Sequence, residues 1–218
     1  MDEAYVAPIG KSDVGLLRRN LQMAAHTRRL LLSCFEPKGK FVDYGGGYGV
    51  FVRLMRDEGF DFHRYDPLCN NLFAEGFDAT AGTSYALLTA WEVLEHLKNP
   101  LAEIERMLSF SRNWLFSTLL LANPPKPLND WWYYSLEGGQ HISFYTVESL
   151  RIIARRFDLK LHYSNGAIHF IGDPNLNPIG IKAAFDRRFR WLQRIISKPA
   201  PPSLVHSDYY VVTGRHLQ

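Results

Sequence analysis

The sequence has few cysteines, little net charge and no long apolar run, and each of these shortages excludes a class of protein. Two cysteines among 218 residues, Cys34 and Cys69, provide neither a disulfide framework nor a cysteine-based metal site. The 25 basic and 22 acidic side chains leave a formal charge of +3, too small for a chain devoted to nucleic acid. No apolar run approaches the ~18–20 residues that a membrane-spanning helix requires. We therefore expect neither a membrane span nor nucleic acid as the main partner.

The beginning of the sequence also lacks the apolar segment of an export signal. It reads Met1-Asp2-Glu3, which is acidic, and together with the scarcity of cysteine this predicts a cytoplasmic protein. What the chain does contain is 46% hydrophobic and 22% charged residues, a composition that supports a sizeable buried core. These features indicate a soluble globular protein.

Apolar residues between positions 40 and 121 follow strand and helix rhythms in alternation. Strands are predicted at 41–44, 62–66, 85–90 and 114–121, and helices at 50–59 and 101–110. Alternation of this kind builds a mostly parallel central sheet with helices on both faces. The predicted fold class is therefore α/β.

The flanking regions complete the predicted organisation. Ser12 opens a helical pattern that ends at Pro37, so residues 1–36 are interpreted as an N-terminal helical extension of a domain over 37–218. After position 146 the patterns predict a helix capped by Thr146, strands at 159–163 and 167–171, a helix at 181–196 and a last strand at 209–213.

The most informative stretch is Asp43-Tyr44-Gly45-Gly46-Gly47-Tyr48-Gly49, between a predicted strand and a predicted helix. Spaced glycines let the backbone turn tightly and approach a ligand closely, and the following helix directs its positive end at that ligand. A dinucleotide pattern starting at Gly45 requires glycine or alanine at position 50, where Val50 stands. The stretch therefore indicates a ligand site of another kind.

This stretch resembles the first motif of class I S-adenosylmethionine-dependent methyltransferases, D-x-G-x-G-x-G, which Asp43, Gly45, Gly47 and Gly49 satisfy. The resemblance extends over roughly residues 40 to 171. It implies a Rossmann-like fold, S-adenosylmethionine as the cofactor, and a turn, Tyr44 included, that wraps the methionine and ribose portion of that cofactor.

A second point of resemblance is Asp66, which ends the next predicted strand. A carboxylate at this place can accept hydrogen bonds from both ribose hydroxyls, as it does in dinucleotide folds. The family resemblance assigns Asp66 to the ribose and places Pro67 beside the adenine.

A third is Trp91-Glu92-Val93-Leu94-Glu95-His96-Leu97, followed by Asn99-Pro100, which is similar to the family pattern E-V-L-E-H-x-x-x-P after the fourth strand. The resemblance places Ala90, Trp91 and Glu92 beside the methionine end of the cofactor, where Glu92 can face its ammonium or sulfonium charge. Glu95 and His96 are interpreted as residues that cap and orient the following helix.

The acceptor side is predicted in the aromatic-rich loop over 123–146. Loops at the carboxyl ends of parallel strands form the ligand crevice of an open α/β sheet. Four consecutive aromatic residues beside Gly138-Gly139 predict a mobile lid, and His141 is the natural group to accept a proton near neutral pH.

This segment, from His141 to Thr146, resembles the H-x-x-[FY]-[FY]-[ST] pattern of bacterial small-molecule methyltransferases, some of which methylate nucleotide-linked deoxysugars. The resemblance implies His141 as catalytic base and a sugar or other polar metabolite as acceptor. The chain departs from those sugar enzymes in lacking a cysteine-rich zinc module and in carrying Gln140 where they have an acidic residue.

Two alternatives to a metal-free small-molecule methyltransferase are compatible with the sequence. Glu92, Glu95, His96 and His141 resemble the ligands of metal-dependent RNA 2′-O-methyltransferases, and the i, i+3 and i, i+4 spacing of the first three puts them on one face of a helix. The preferred interpretation involves no metal. A third hypothesis is a cofactor-binding scaffold without turnover.

The predicted basic helix at 181–198 is the last feature of note. This segment contains six basic residues and a single acidic residue, Asp186. Apolar residues recur at helical spacing, which gives the predicted helix one apolar side. The basic side could bind nucleic acid, anionic lipid or a phosphorylated substrate, or it could be a solvated face over a core stripe. The helix is interpreted as a cover of the acceptor site or as the seam of a homodimer.

Overall fold

The computed structural model describes residues 14–80, 82–135 and 141–217. Ser12, predicted to open the first helix, lies outside these residues, as do Gly138, Gly139 and Gln140 of the predicted lid. Within the described part of the chain, no helix combines the length and the apolar character that crossing a bilayer requires.

A six-stranded sheet forms the centre of the fold. Its strands are β1 (Lys40–Tyr44), β2 (Asp61–Tyr65), β3 (Leu87–Ala90), β4 (Trp114–Ser117), β5 (Lys160–Ser164) and β6 (Ile168–Gly172), in the spatial order β2-β1-β3-β4-β6-β5. The strands β1 to β4 pair in parallel with one another, and β6 pairs antiparallel with both β4 and β5. The prediction of a mostly parallel α/β sheet is confirmed. The carboxyl ends of β1 to β4 consequently lie along one edge.

Helices cover both faces of the sheet, as predicted. They are α1 (Leu16–Cys34), α2 (Val50–Asp57), α3 (Pro100–Phe110), α4 (Val147–Arg156), α5 (Pro178–Phe185), α6 (Arg190–Ile196) and α7 (Val205–Thr213). Successive strand residues point to opposite faces. Phe41 thus packs in the core formed with α1, α2 and α5, while Val42 packs in the core formed with α3 and α4.

Local signals set several helix boundaries. Thr146 and Ser149 form a reciprocal capping box, which confirms the predicted cap of α4. The Asn99 side chain caps α3, and Pro100 occupies its first turn, where a missing N–H costs nothing.

Two sequence-based assignments near the C-terminus are wrong. The predicted strand at 209–213 is part of helix α7, because Asp208 in the first turn of that helix is held in a buried ion cluster with Arg53 and Arg56 of α2. The predicted helix at 181–196 is broken at Asp186. The side chain of Asp186 accepts the Arg188 N–H and starts a 3-10 turn between α5 and α6.

Two strands are shorter than predicted. The strand expected over 85–90 begins at Leu87, and the strand expected over 114–121 ends at Ser117. Beyond Ser117 the backbone leaves the ladder, and Leu120 makes only an isolated bridge to Tyr145. This divergence opens the sheet edge around which the cavities described below are arranged.

Candidate functional site

The glycine turn joins β1 to α2 through three left-handed residues. Gly45, Gly47 and Gly49 have φ angles of 70°, 53° and 87°, a region that other residues rarely enter. At Gly45 a β-carbon would also stand 2.6 Å from Cγ2 of Val93. The turn therefore needs glycine on two grounds, conformation and space, and its backbone stays uncovered toward the cavity in front of it.

Asp43 lies beneath this turn and is buried. Its Oδ1 accepts a hydrogen bond of 2.6 Å from the hydroxyl of Thr89, its neighbour on β3. Burial, reinforced by the nearby charge of Asp66, raises the pKa of Asp43 to about 7 against the opposing effect of the Thr89 hydrogen bond. Thr89 is a partner that the sequence motif does not reveal, because it belongs to a different strand.

Asp66 closes the turn from the end of β2. Its Oδ2 accepts the Gly47 N–H at 2.8 Å, and its Oδ1 accepts the backbone N–H groups of Leu68 and Cys69 at 2.8 and 3.1 Å. Asp66 thus connects the glycine turn to the loop after β2. These three bonds leave part of the acceptor capacity of the carboxylate for a ligand.

Arg64 supports the same turn from behind and was not singled out from the sequence. It is buried, and it donates to the Gly47 carbonyl at 2.6 Å and to Asp78 at 2.9 Å. Its position in a short strand of alternating pattern gave no sign of this role.

The first cavity, of about 590 Å³, opens in front of the turn. Eight of the predicted cofactor residues line it: Asp43, Tyr44, Gly45, Gly47, Asp66, Pro67, Trp91 and Glu92. Gly49 is instead packed against Asn71 and Ala74, and Ala90 is fully buried, so neither contributes to the lining. The volume is in the range of small-molecule and cofactor sites.

Helices α1 and α3 contribute further walls that the motifs did not predict. They provide Leu16, Arg19, Asn20 and Met23 from α1, and Ala102, Glu103 and Arg106 from α3. The phenol of Tyr44 donates a hydrogen bond to Glu103, which ties the end of β1 to α3.

A second cavity, of about 580 Å³, lies beside the first. The two cavities are adjacent, because Arg19, Met23 and Glu92 line both of them. Its remaining lining includes Ser117 at the end of β4, Trp132 of the aromatic loop, and basic residues of α1 and α6. Each cavity has the volume of a small-molecule site, and Glu92 stands at the boundary between the two.

Glu92 is held at this boundary by a reciprocal pair of hydrogen bonds with Ser117. Its N–H donates to the Ser117 hydroxyl at 2.8 Å, and that hydroxyl donates to Oε1 of Glu92 at 2.5 Å. The left-handed φ of 54° at Glu92 turns the chain out of β3. The expected single helical face of Glu92, Glu95 and His96 is therefore wrong, since only the last two lie in a short 3-10 turn.

Glu95, His96 and His141 form a separate cluster. One ligand atom from each lies within 4.8 Å of the others, whereas Glu92 is not part of the group. Glu95 is fully buried, and neither of its carboxylate oxygens has a hydrogen-bond partner among the described residues. Burial first, and the charge of Glu92 second, raise the pKa of Glu95 to about 7.

His141 lies behind the cavities. Its Nδ1 is 2.6 Å from the carbonyl oxygen of Tyr133, its ring contacts the rings of Tyr133 and His96, and it lines neither cavity. The backbone N–H groups of Ile142 and Ser143 bind the Glu95 carbonyl, which fixes this segment to the 3-10 turn. The catalytic role of His141 stays a prediction.

The described part of the aromatic loop is packed. The rings of Trp131, Tyr133, Tyr134 and Phe144 contact one another, and the buried hydroxyl of Tyr133 accepts the Leu119 N–H. The ring of Trp132 also contacts that of Tyr133, but 78% of the surface of Trp132 is exposed, and it lines the second cavity.

The raised pKa of Asp43 gives a testable pH dependence. Between pH ~4 and ~7 the folded state keeps a proton on Asp43 that the unfolded chain has lost, so this carboxyl costs stability increasingly as the pH rises. We expect the free energy of unfolding of Asp43→Asn, minus that of the wild type, to rise by about 3 kcal/mol across this window and then level off.

The stability of the variant must be compared with that of the wild type because His26 titrates in the same pH window. Its pKa is lowered to about 4, mainly by burial, so its contribution to stability increases as the pH rises. Urea unfolding at closely spaced pH values measures the difference, from which the contribution of His26 cancels. A difference that does not change with pH would contradict the burial-driven shift of Asp43.

The fold and the site define the class of this protein. A glycine turn after β1, an acid at the end of β2 and a cavity at the carboxyl edge of a mostly parallel sheet are the features of class I S-adenosylmethionine-dependent methyltransferases. A family model described as a methyltransferase domain matches residues 17–164, and the chain belongs to that family.

Solved structures agree in fold. Magnesium protoporphyrin IX methyltransferase from Synechocystis PCC 6803, solved with bound SAH, is 16% identical, with a TM-score of 0.54 over 73% of this chain and 84% of that chain. An O-methyltransferase family protein from Burkholderia thailandensis is 13% identical, with a TM-score of 0.55 over 72% of this chain and 57% of that chain. No curated protein sequence matches the chain significantly.

Proposed function

We propose that this methyltransferase binds S-adenosylmethionine in the first cavity and methylates a small-molecule acceptor held in the second. The observation that carries the proposal is that two cavities of similar volume lie side by side, with Glu92 in the lining of both. A methyl donor in one and an acceptor in the other would meet there, as direct transfer requires. The acceptor class, a sugar or other polar metabolite, is part of the proposal.

The residues of the first cavity fit the cofactor from end to end. The uncovered backbone of Gly45 and Gly47 accommodates the ribose and methionine portion, and Asp66 offers its remaining acceptor capacity to the ribose hydroxyls. Under this proposal Pro67, which lines the same cavity, would lie beside the adenine, and the carboxylate of Glu92 would face the positively charged methionine end. The structure with SAH named above belongs to a protein of the same fold.

The proposed reaction is an in-line displacement. A lone pair on the acceptor attacks the methyl carbon, the carbon–sulfur bond breaks with its electrons remaining on sulfur, and the acceptor loses its proton to water or to a base. Alignment of the reacting atoms at ~3–3.5 Å supplies much of the rate enhancement. Under this proposal α1, from the predicted extension 1–36, contributes by covering both cavities, since Arg19 and Met23 line each of them.

The experiment that tests this function has two parts. Calorimetry with S-adenosylhomocysteine should show binding to the purified protein. Incubation with methyl-labelled S-adenosylmethionine and a metabolite extract should then transfer label to small molecules that mass spectrometry identifies. Binding without any transfer would favour the cofactor-binding scaffold, and absence of binding would refute the proposal.

A second candidate adds a divalent cation to this function. The buried carboxylate of Glu95 has no hydrogen-bond partner within the described parts of the chain and lies beside His96 and His141. This cluster provides one oxygen and two nitrogen ligands, a set that suits a first-row transition metal. The metal-dependent RNA methyltransferase hypothesis had two parts, a metal ion and an RNA acceptor. The cluster supports only the metal ion, and Glu92 is not among its ligands. When bound, such an ion supplies Lewis-acid stabilisation of an oxygen nucleophile.

We expect Glu95→Gln to separate this candidate from a metal-free cluster. If a cation is bound, purified wild-type protein contains about one equivalent of metal by mass spectrometry, and the variant loses ~10–100-fold in metal affinity or more. The matched control is Glu92→Gln, which removes a carboxylate outside the cluster and should keep the metal. A wild type without metal after dialysis against Zn²⁺ or Mn²⁺ contradicts the candidate.

The homodimer and the cytoplasmic location belong to the proposal as well. Cys34 and Cys69 are both unpaired, in keeping with a reducing compartment. Sedimentation analysis of the purified chain measures the oligomeric state directly.

A further inference from the structure

We propose that the second cavity holds an anionic group of the acceptor, a phosphate or a carboxylate, between Arg29, Arg190 and His26. This inference rests on the proposed function, because it names the chemistry of the acceptor for the same site.

The basic residues of this cavity come from two ends of the chain. Helix α1 contributes Arg19, His26 and Arg29, and Arg190 is the first residue of α6. Glu92 is the single acidic residue in the described lining, and it is engaged by Ser117. Two of these guanidinium groups, those of Arg29 and Arg190, lie close enough for their like charges to interact.

Arg29 is placed as an anion ligand rather than as a surface charge. It is half-buried, its Nε donates to the Ala184 carbonyl at 3.2 Å, and its Nη2 lies 2.8 Å from Nδ1 of His26. Burial, and then the like charge of Arg190, lower the pKa of Arg29. The protein has thus brought two guanidinium groups together, with neutral partners for the buried one among the described residues, an arrangement that an anion would stabilise.

His26 adds a donor to the same group. An arginine can only donate, so Nδ1 of His26 accepts from Arg29, and the proton of the neutral ring is on Nε2. The pKa of His26, about 4, keeps the ring neutral at physiological pH, mainly because it is buried and also because Arg29 and Arg190 are close. Its Nε2–H is therefore a hydrogen-bond donor, which an anionic oxygen accepts.

The shape of the cavity favours a small molecule. Its volume of about 580 Å³ suits a metabolite, and the indole of Trp132 provides an apolar surface at one side. The acceptor that fits these features carries one anionic group and a compact body whose nucleophile reaches Glu92, which lines both cavities.

The test uses three probes of similar size: phenyl phosphate, benzoate and neutral benzyl alcohol. Calorimetry is done on the full chain in the presence of saturating S-adenosylhomocysteine. We expect an anionic probe to bind in the millimolar range or tighter and benzyl alcohol to bind at least 10-fold more weakly. Phosphate and carboxylate are distinguished by which of the two anions binds.

Arg190→Gln tests the residue, and Arg194→Gln is the matched control. Both arginines are exposed on the same helix four residues apart, but Arg194 does not line the cavity. We expect Arg190→Gln to weaken the anionic probe by ~10-fold or more, and Arg194→Gln by less than 3-fold, because a charge-assisted hydrogen bond is lost only in the first. Both variants should bind S-adenosylhomocysteine as the wild type does.

The outcomes distinguish failure of the proposed function from failure of the anionic subsite alone. A wild type that does not bind S-adenosylhomocysteine refutes the proposed function. A wild type that binds it, but binds no anionic probe, binds all three equally, or responds equally to both substitutions, overturns the anionic subsite alone. Binding of an RNA oligonucleotide by a protein that ignores all three probes also overturns it, in favour of a nucleic-acid acceptor.

Discussion

Replacing Asp66 by alanine is expected to abolish detectable S-adenosylhomocysteine binding, with a loss of ~100-fold or more in affinity. Two effects combine. The substitution removes the acceptor proposed for the ribose hydroxyls, and it also leaves the N–H groups of Gly47, Leu68 and Cys69 without their partner. Each hydrogen bond to a carboxylate contributes ~1.5–3 kcal/mol, so even part of this loss reaches the expected magnitude. Isothermal titration calorimetry measures it.

Two further variants show whether the loss is specific. Asp66→Asn keeps the oxygen that serves Leu68 and Cys69 but places an amide nitrogen toward Gly47, so we expect an intermediate loss with the fold intact. His141→Ala removes a side chain that lines neither cavity and should retain affinity within 2-fold while slowing methyl transfer if His141 is the base. Equal losses of affinity in all three would refute this division between cofactor binding and catalysis.

The largest effect on stability is expected from Asp208→Ala, at a site far from the chemistry. Asp208 and Arg56 are both buried and joined by two parallel hydrogen bonds, Nε to Oδ2 at 2.8 Å and Nη2 to Oδ1 at 2.7 Å. Without Asp208, the guanidinium of Arg56 keeps its hydrogen bonds to Asp61 and to the Phe62 carbonyl, but it loses the buried carboxylate that balances its charge. Breaking such a pair costs ~3–5 kcal/mol, which for a chain of this size lowers the melting temperature by about 10 °C.

The chain offers a closely matched control for this variant. Arg53 donates to Asp208 at 2.7 Å and also to the exposed carboxylate of Asp57 at 2.8 Å. Asp57→Ala removes the second of these bonds and should cost about 0.5 kcal/mol or less, because water replaces an exposed partner. Thermal unfolding followed by circular dichroism gives both values. Similar melting temperatures for the two variants would show that α7 is not held by this ion cluster.

The sequence predicts local structure correctly where one short segment contains all the residues that determine it. The turn from Asp43 to Gly49 combines a strand, an acid, three glycines and a helix in contiguous residues, and the structure gives left-handed φ angles to each predicted glycine. The capping box at Thr146 is likewise local, since both of its hydrogen bonds join residues three apart. Such features depend on backbone conformation and near neighbours, which the order of residues determines directly.

Predictions from the sequence are wrong where burial or a distant partner overrides a local preference. The run from Tyr209 to Thr213 favours a strand by composition, yet Asp208 anchors it as a helix to residues about 150 positions earlier. Glu92, Glu95 and His96 have helical spacing, yet the bonds of Glu92 to Ser117 on β4 turn it away from the other two. Neither partner can be inferred from the segment itself.

By itself, then, the sequence determined the class of sheet, the glycine turn with its two acids, and the family, because these depend on contiguous motifs and on alternating apolar patterns. Only the tertiary structure decided that α1 and α6 bring basic side chains to one cavity, that Glu92 lines both this cavity and the first, and that Arg56 is paired with Asp208 of α7. The physical reason is that a cavity and a buried charge pair are made by residues far apart in the chain, and their positions depend on how helices pack on the sheet.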